Sequence, residues 1–194
     1  MKKVLLAVAF TFGIGAISVN AQSIELIPKA GINVATQSIK SVGGEKSKVG
    51  FQAGLGVNIP VGKDGFSIQP ELNYIQKGVA FKPAGASRTT YNMNYLEIPV
   101  LLKYSFGPVY VNAGPSIGFR LGQSNKVKEA LGKTKSVDFG LQMGLGAAIP
   151  AGPGKLIVDG RYNLGLSNIS DVKGESIKNR GFIFSLGYAI PIGK

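Results

Sequence analysis

The ionisable residues of this chain set narrow limits on the chemistry that it can perform. Its 194 residues include neither Cys nor His. This composition removes the usual zinc, copper and haem ligands, together with the Ser-His and Cys-His pairs that activate a nucleophile. We therefore expect no metal, no cofactor and no catalytic residue, and we expect that the protein is not an enzyme.

Charged residues of both signs recur inside stretches that are otherwise apolar. Lys29, Glu71, Glu97, Arg120 and Arg161 each lie in such a stretch. An enclosed charge needs a partner, because an unpaired one is strongly destabilising. The pattern predicts an interior ion-pair cluster of Lys29, Glu71, Glu97 and Arg161, with Arg120 in the same interior. The cluster could be a structural plug or could line a gated ion path, and both alternatives stay open.

The surrounding stretches alternate between apolar and polar residues, which indicates β-strands with two different faces. The pattern predicts eight strands, over 24–36, 48–60, 66–78, 93–105, 109–121, 136–149, 155–167 and 181–192. One face of these strands carries no charge, and a Lys or Arg facing lipid at mid-membrane would cost about 2–4 kcal/mol. The strands of a soluble β-sandwich or lipocalin-like barrel also alternate between apolar and polar residues. In such a protein the charged face would meet water, and the few charges on it would make a sparse polar surface.

The connections between the strands alternate in length. Those after strands two, four and six are short, whereas 37–47, 79–92, 122–135 and 168–180 are long. Tight periplasmic turns and longer external loops are typical of outer-membrane barrels. The predicted fold is therefore all-β, an eight-stranded antiparallel up-and-down transmembrane β-barrel. Proline cannot donate to a ladder, so we expect bulges or missing pairs at Pro70, Pro99 and Pro115.

The first 21 residues have the pattern of a cleavable signal peptide. Lys2 and Lys3 precede an apolar stretch over 4–17, and Val19-Asn20-Ala21 offers small residues for cleavage. The alternative is a membrane anchor, but the apolar run is shorter than the roughly 20 residues that a spanning helix needs. We expect export, a barrel domain over 22–194 and localisation in the cell outer membrane.

The excess of positive charge falls in the long connections. The formal net charge is +12. The expected loop residues include Lys48 and Lys77 and a basic extracellular set of Lys82, Arg88, Lys126, Lys128 and Lys133. Basic loops are well placed beside lipopolysaccharide phosphates, although they could equally be ordinary solvated loops. Outer-membrane lipid and lipopolysaccharide are thus the expected partners. Nucleic acid is not an expected partner, because the loops lack interleaved aromatic residues.

Several segments resemble a known family. The stretch Asn94-Tyr-Leu-Glu-Ile-Pro-Val-Leu-Leu-Lys-Tyr104 is the most distinctive, and Lys29–Asn33, Gln69–Tyr74, Asp138–Gln142 and Arg161–Gly165 also match. They resemble the PorT-like outer-membrane β-barrel proteins of Bacteroidetes, a porin-type family. The resemblance implies an eight-stranded barrel and, since a few members are linked to type IX protein secretion, contact with secretion-machinery or other envelope proteins. The chain departs from the usual aromatic end of such barrels, because it finishes Ile192-Gly-Lys194.

Three classes of function remain after these observations. The first is a small outer-membrane barrel with a structural or interaction role in the cell envelope, accessory to protein secretion. The second is a narrow porin-like channel for ions or small solutes. The third, a lipid-modifying enzyme, is the weakest, because no His can act as a base.

Overall fold

The structure is a computed structural model, and it describes residues 24–39, 45–62, 64–81, 89–123, 135–169 and 177–192. The proposed signal peptide lies outside the described residues. Within the described ranges there are eight long strands: β1 Ile24–Ile39, β2 Lys48–Pro60, β3 Phe66–Phe81, β4 Thr89–Phe106, β5 Val109–Gln123, β6 Val137–Ala151, β7 Gly154–Gly165 and β8 Ile177–Ile192. A two-residue strand, Glu45–Lys46, pairs with the end of β3. None of the described segments is a helix that could cross a membrane.

The eight strands form one closed ring. Each pairs antiparallel with the strand before and after it in the sequence, and β8 pairs with β1 to complete the ring. The predicted fold, an eight-stranded antiparallel up-and-down barrel, is therefore confirmed. A ring of eight strands encloses a space that side chains just fill, so the residues that point inward decide what the lumen can do.

Several strands run further than the sequence indicated. β1 continues to Ile39 and β3 to Phe81, and β4 and β8 begin at Thr89 and Ile177. All four extensions lie at the end of the barrel that carries the long connections. We attribute these extensions to the change of surroundings from lipid to water. Beyond the lipid a strand needs no apolar outer face, so the alternating sequence pattern ends before the hydrogen-bonded ladder does.

The apolar side of the sheet faces outward. Leu145 is 68% exposed and Leu186 61% exposed, whereas Glu71 and Arg161 on the other side are 4% and 3% exposed. A soluble barrel would place these two sets the other way round. That alternative is wrong, because the outer wall is a continuous band of exposed Leu, Val, Ile and Phe side chains that suits lipid and not water.

Aromatic residues lie near both ends of this apolar band. At the short-turn end, the rings of Phe66 and Tyr104 have centroids 4.7 Å apart, and Phe106 continues the row 6.1 Å from Tyr104. Towards the other end, Tyr162 and Phe182 lie 5.0 Å apart. Paired aromatic rings at two levels correspond to the girdles that barrels place at the membrane interfaces.

The prolines inside the strands interrupt the ladder as expected. Between β3 and β4, paired positions stop at Pro70 with Val100 and resume at Asn73 with Glu97. Between β4 and β5 they stop at Pro99 with Ser116 and resume at Leu102 with Ala113. The register does not shift across either gap, so proline removes hydrogen bonds here without moving the two strands along one another. The bulge in the β4–β5 pair lies elsewhere, between Asn94 and Tyr95.

The outward face leads to a first prediction. Leu145→Arg, in the middle of β6, should lower the free energy of unfolding in lipid vesicles by about 2–4 kcal/mol, because it places a charge at mid-membrane. Leu166→Arg, just beyond β7, is the matched control and should cost no more than about 1 kcal/mol, because it lies at the interface. Urea titration in vesicles measures both. Equal costs at the two positions would contradict the depth that we assign to Leu145.

Candidate functional site

Glu71 is the centre of a buried cluster of charges inside the barrel. Arg161 donates to it through both terminal nitrogens, with Nη1 2.9 Å from Oε2 and Nη2 3.0 Å from Oε1. Lys29 Nζ lies 2.5 Å from Glu71 Oε2. Glu71 belongs to β3 and Arg161 to β7, which have three strands between them on either side of the ring. The two-pronged pair therefore spans the width of the lumen.

A second carboxylate balances this cluster. Asp159 lies two residues before Arg161 on β7, so both point inward, and its Oδ1 is 2.6 Å from Arg161 Nε. Tyr110 donates its hydroxyl to Asp159 Oδ2 at 2.8 Å. We call Lys29, Glu71, Asp159 and Arg161 the central cluster. It holds two positive and two negative groups, so its formal net charge is zero.

Polar neighbours on β3 complete the coordination of Glu71. Gln69 Nε2 donates to Oε1 at 2.6 Å, and Asn73 Nδ2 donates to Oε2 at 2.9 Å. Because side chains two apart on a strand share a face, the spacing Gln69, Glu71, Asn73 places both amides beside the carboxylate. Glu71 thus accepts from four side chains, which is what a buried carboxylate requires.

Glycines on β6 make room for the cluster. A Cβ at Gly144 would lie 2.7 Å from Arg161 Cγ, and a Cβ at Gly146 would lie 2.4 Å from the hydroxyl of Tyr110. Neither position would tolerate a side chain without moving its neighbour. The long side chains from β5 and β7 therefore occupy space that the strand between them, β6, leaves empty.

A second cluster lies towards the long-connection end. Lys77 Nζ is 3.2 Å from Glu97 Oε2 and 3.3 Å from Asp138 Oδ2. Asn163 donates to Glu97 at 3.2 Å, and Asn179 donates to Asp138 at 2.9 Å. We call Lys77, Glu97 and Asp138 the upper cluster.

The upper cluster corrects two sequence-based expectations. The sequence pattern groups Glu97 with Lys29, Glu71 and Arg161, but its ion pair is with Lys77. Lys77 and Lys48 are expected in loops, but both are buried inside strands, 4% and 6% exposed. The sequence contains the signal: Lys77 lies within the predicted strand over 66–78 and has the same parity as Glu71, so the alternation already places it inside the barrel.

The other predicted residues lie at the long-connection end of the barrel or outside the described residues. Arg120 is at the long-connection end of β5, where it pairs across the sheet with the fully buried Tyr95, and it is partly exposed. The proposed basic extracellular set falls outside the described residues: Lys82, Arg88, Lys126, Lys128 and Lys133.

Two apolar layers accompany the charged ones. One contains Ile27, Tyr110, Ile157 and Ala189, and lies towards the short turns. The other lies towards the long connections and contains Ile75, Met93, Tyr95, Ile169, Ile177 and Ile183. The lumen is therefore filled by side chains of both kinds along much of its length.

A cavity of about 700 Å³ opens at the short-turn end. Its wall includes Glu25, Asn58, Lys103 and Lys155, and its rim is formed by turn residues such as Gly65, Gly107 and Pro108. We call this cavity the vestibule. No single stretch of sequence predicts it, since it depends on how six strand ends and two turns meet. Among the described residues there is no group of His, Cys, Asp or Glu that could hold a metal ion.

Known structures share this fold. Neisserial surface protein A is 17% identical, over 86% of this chain and 97% of its own, with a TM-score of 0.51. OprG from Pseudomonas aeruginosa is 14% identical, over 88% and 97% of the two chains, with a TM-score of 0.52. Ail of Yersinia pestis, in a complex with the heparin analogue sucrose octasulfate, is 13% identical, over 87% and 99%, with a TM-score of 0.50. At these identities the likeness concerns the fold.

The sequence itself points to the same class of protein. No curated protein matches it, but a family model described as "Outer membrane protein beta-barrel domain" matches residues 20–171. This match covers more than half of the chain and agrees with the closed barrel, its apolar outer wall and its charged interior. The protein belongs to the outer membrane protein beta-barrel domain family, and its place is the outer membrane.

Proposed function

We propose that this protein is a structural and interaction barrel of the cell envelope with a plugged lumen. The observation that carries the proposal is the Glu71–Arg161 pair, which joins opposite walls of the barrel through two hydrogen bonds of 2.9 and 3.0 Å. Both side chains are almost completely inaccessible to solvent. An ion path would need water beside these groups, and here protein atoms take that place.

The upper cluster and the two apolar layers support the same conclusion. A solute that passed the central cluster would still meet the Lys77 ion pairs and the layer around Tyr95 and Met93. Opening a path would require several buried ion pairs to separate at once, which is costly in a low-dielectric interior. The plug thus has more than one barrier in series.

We place the interacting surface on the outside of the membrane. The supporting observations are the long connections between strands and a formal net charge of +10 that remains when Lys2 and Lys3 are removed with the proposed signal peptide. Positive loops attract the phosphates of lipopolysaccharide at short range. Outer-membrane lipid and lipopolysaccharide are therefore the partners that we propose, and the proposal includes no enzymatic activity and no cofactor.

The finer assignment is an accessory role in protein secretion. It is supported by the resemblance of the segment over 94–104 to PorT-like proteins of Bacteroidetes, with export through the segment over 1–21. Crosslinking in intact cells followed by purification of the barrel tests this role. Recovery of secretion-machinery components is expected, whereas recovery of lipid alone would contradict the role in secretion and leave an envelope barrel without that partner.

The plug predicts that the purified protein does not conduct. In planar bilayers we expect no steady channels from the wild-type protein, because the central cluster closes the lumen. Glu71→Gln tests the role of the pair, and Asp64→Asn, an exposed carboxylate in a short turn, is the matched control. Steady wild-type channels whose conductance changes with Glu71→Gln and not with Asp64→Asn would overturn the plug and favour the narrow channel.

Stability gives an independent prediction. Glu71→Gln leaves Lys29 and Arg161 without their shared carboxylate, and breaking a buried pair on one side costs about 3–5 kcal/mol. Asp64→Asn should change the free energy of unfolding by less than about 0.5 kcal/mol, because that residue is exposed. Urea unfolding in vesicles, followed by gel mobility of the folded barrel, measures both. A Glu71→Gln variant as stable as the wild type would show that the cluster does not hold the lumen closed.

A further inference from the structure

The vestibule at the short-turn end is lined by polar groups that the plug does not use. It has a volume of about 700 Å³, and Ser67, Ser105, Asn58 and Lys103 contribute to its wall. The apolar layer around Ile27 and Tyr110 separates it from the central cluster. In an outer-membrane barrel, short turns face the periplasm, so the vestibule is open to periplasmic molecules.

Among the described residues of this wall, Lys103 is the cation that forms no direct ion pair. Its side chain projects from β4, the residue is 4% exposed, and its Nζ lies 4.1 Å from the centroid of the Tyr110 ring. Within the described part of the chain, Lys103 makes no ion pair and no side-chain hydrogen bond; its contact is with the ring. The hydroxyl of Tyr110 is already committed to Asp159. A buried ammonium that contacts only a ring retains unused capacity for an anion.

The other two charges in the wall satisfy each other. Lys155 Nζ lies 2.7 Å from Glu25 Oε1, and Asn58 Nδ2 donates to Glu25 Oε2 at 2.9 Å. With Lys103, the described residues of the wall carry two positive charges and one negative charge, a formal surplus of one. A ligand with a single negative charge matches this surplus, whereas a doubly charged phosphate would exceed it and repel Glu25.

Asn58 supplies a second requirement for the ligand. Its amide nitrogen is used by Glu25, but its Oδ1 is buried and accepts no hydrogen bond. Buried carbonyl oxygens are normally satisfied, so this atom calls for a donor. The donor and the single negative charge should belong to one molecule, because Lys103 and Asn58 line the same vestibule.

We propose that the vestibule binds a carboxylate with a neighbouring N–H group, the chemistry of a peptide C-terminus, from the periplasmic side. The carboxylate pairs with Lys103 Nζ, and the N–H donates to Asn58 Oδ1. Ser67 and Ser105 offer hydroxyls beside the same space. The assignment does not depend on whether the barrel conducts, since the vestibule lies on one side of the apolar layer and the central cluster on the other.

The test compares a free acid with its amide. N-acetyl-triglycine and N-acetyl-triglycinamide are titrated into the full-length barrel in nanodiscs, and the amide resonances of Gly65 and Gly107 at the rim are followed by NMR. Saturable shifts are expected with the acid, and at least tenfold weaker binding is expected with the amide. Equal binding of acid and amide, or shifts that never saturate, would overturn the proposal without reference to any variant.

Variants then identify the residue. Lys103→Met should weaken binding of N-acetyl-triglycine at least tenfold, whereas Lys135→Met, an exposed lysine at the opposite end of the barrel, should not change it. Gel mobility confirms that each variant is folded. Undiminished binding by folded Lys103→Met would refute the role of Lys103. Tighter binding of inorganic phosphate than of the tripeptide would overturn the choice of a carboxylate ligand.

Discussion

The narrow lumen of an eight-stranded ring is the constraint on which the rest of this structure depends. Every inward side chain meets others from across the barrel, and there is little space for water. Charges placed there must find partners in the wall opposite. Glu71 does so through Arg161, four strands away around the ring, and Lys29 on β1 completes the contact. The same crowding explains Gly144 and Gly146, which leave space for Arg161 and Tyr110.

Buried ion pairs are weak evidence for stability as such, because removing two charges from water offsets much of their attraction. Their stronger effect here is on register. A slip of one residue in β3 would turn Glu71 towards lipid and Leu72, now 48% exposed on the outer wall, into the lumen. Any shift of a strand by an odd number of residues would therefore move charged side chains into lipid. The same shift would also move apolar side chains from the outer face into the polar lumen.

The sequence predicted the parts of the fold that follow from local alternation. Each of the eight strands, the inward position of Lys29, Glu71 and Arg161, and the gaps at the prolines follow from a period of two and from the missing N–H of proline. Which charges meet across the lumen could not be predicted, because this depends on the stagger between strands that are distant in the chain. Glu97 shows the difference: its face was correct, but its partner is Lys77 and not the central cluster. The vestibule depends on several strand ends at once, so no single stretch of sequence indicated it.

The prolines give the wall an uneven stiffness. Val100 on β4 stands in register with Pro70 of β3 on one side, and the skipped positions on its other side fall opposite Pro115 of β5. The stiffness of a sheet depends on the backbone hydrogen bonds between neighbouring strands, and fewer of these bonds are present along this line. The ladder also skips two positions between β2 and β3 and, at Ile27 and Pro28, two positions between β8 and β1. Breathing of the cross-section is therefore concentrated on the flank that runs from β8 through β1 to β5, while the rungs joining β5 to β8 run without interruption. A barrel built in this way can relieve lateral pressure from the surrounding lipid on one flank and keep its opposite flank rigid.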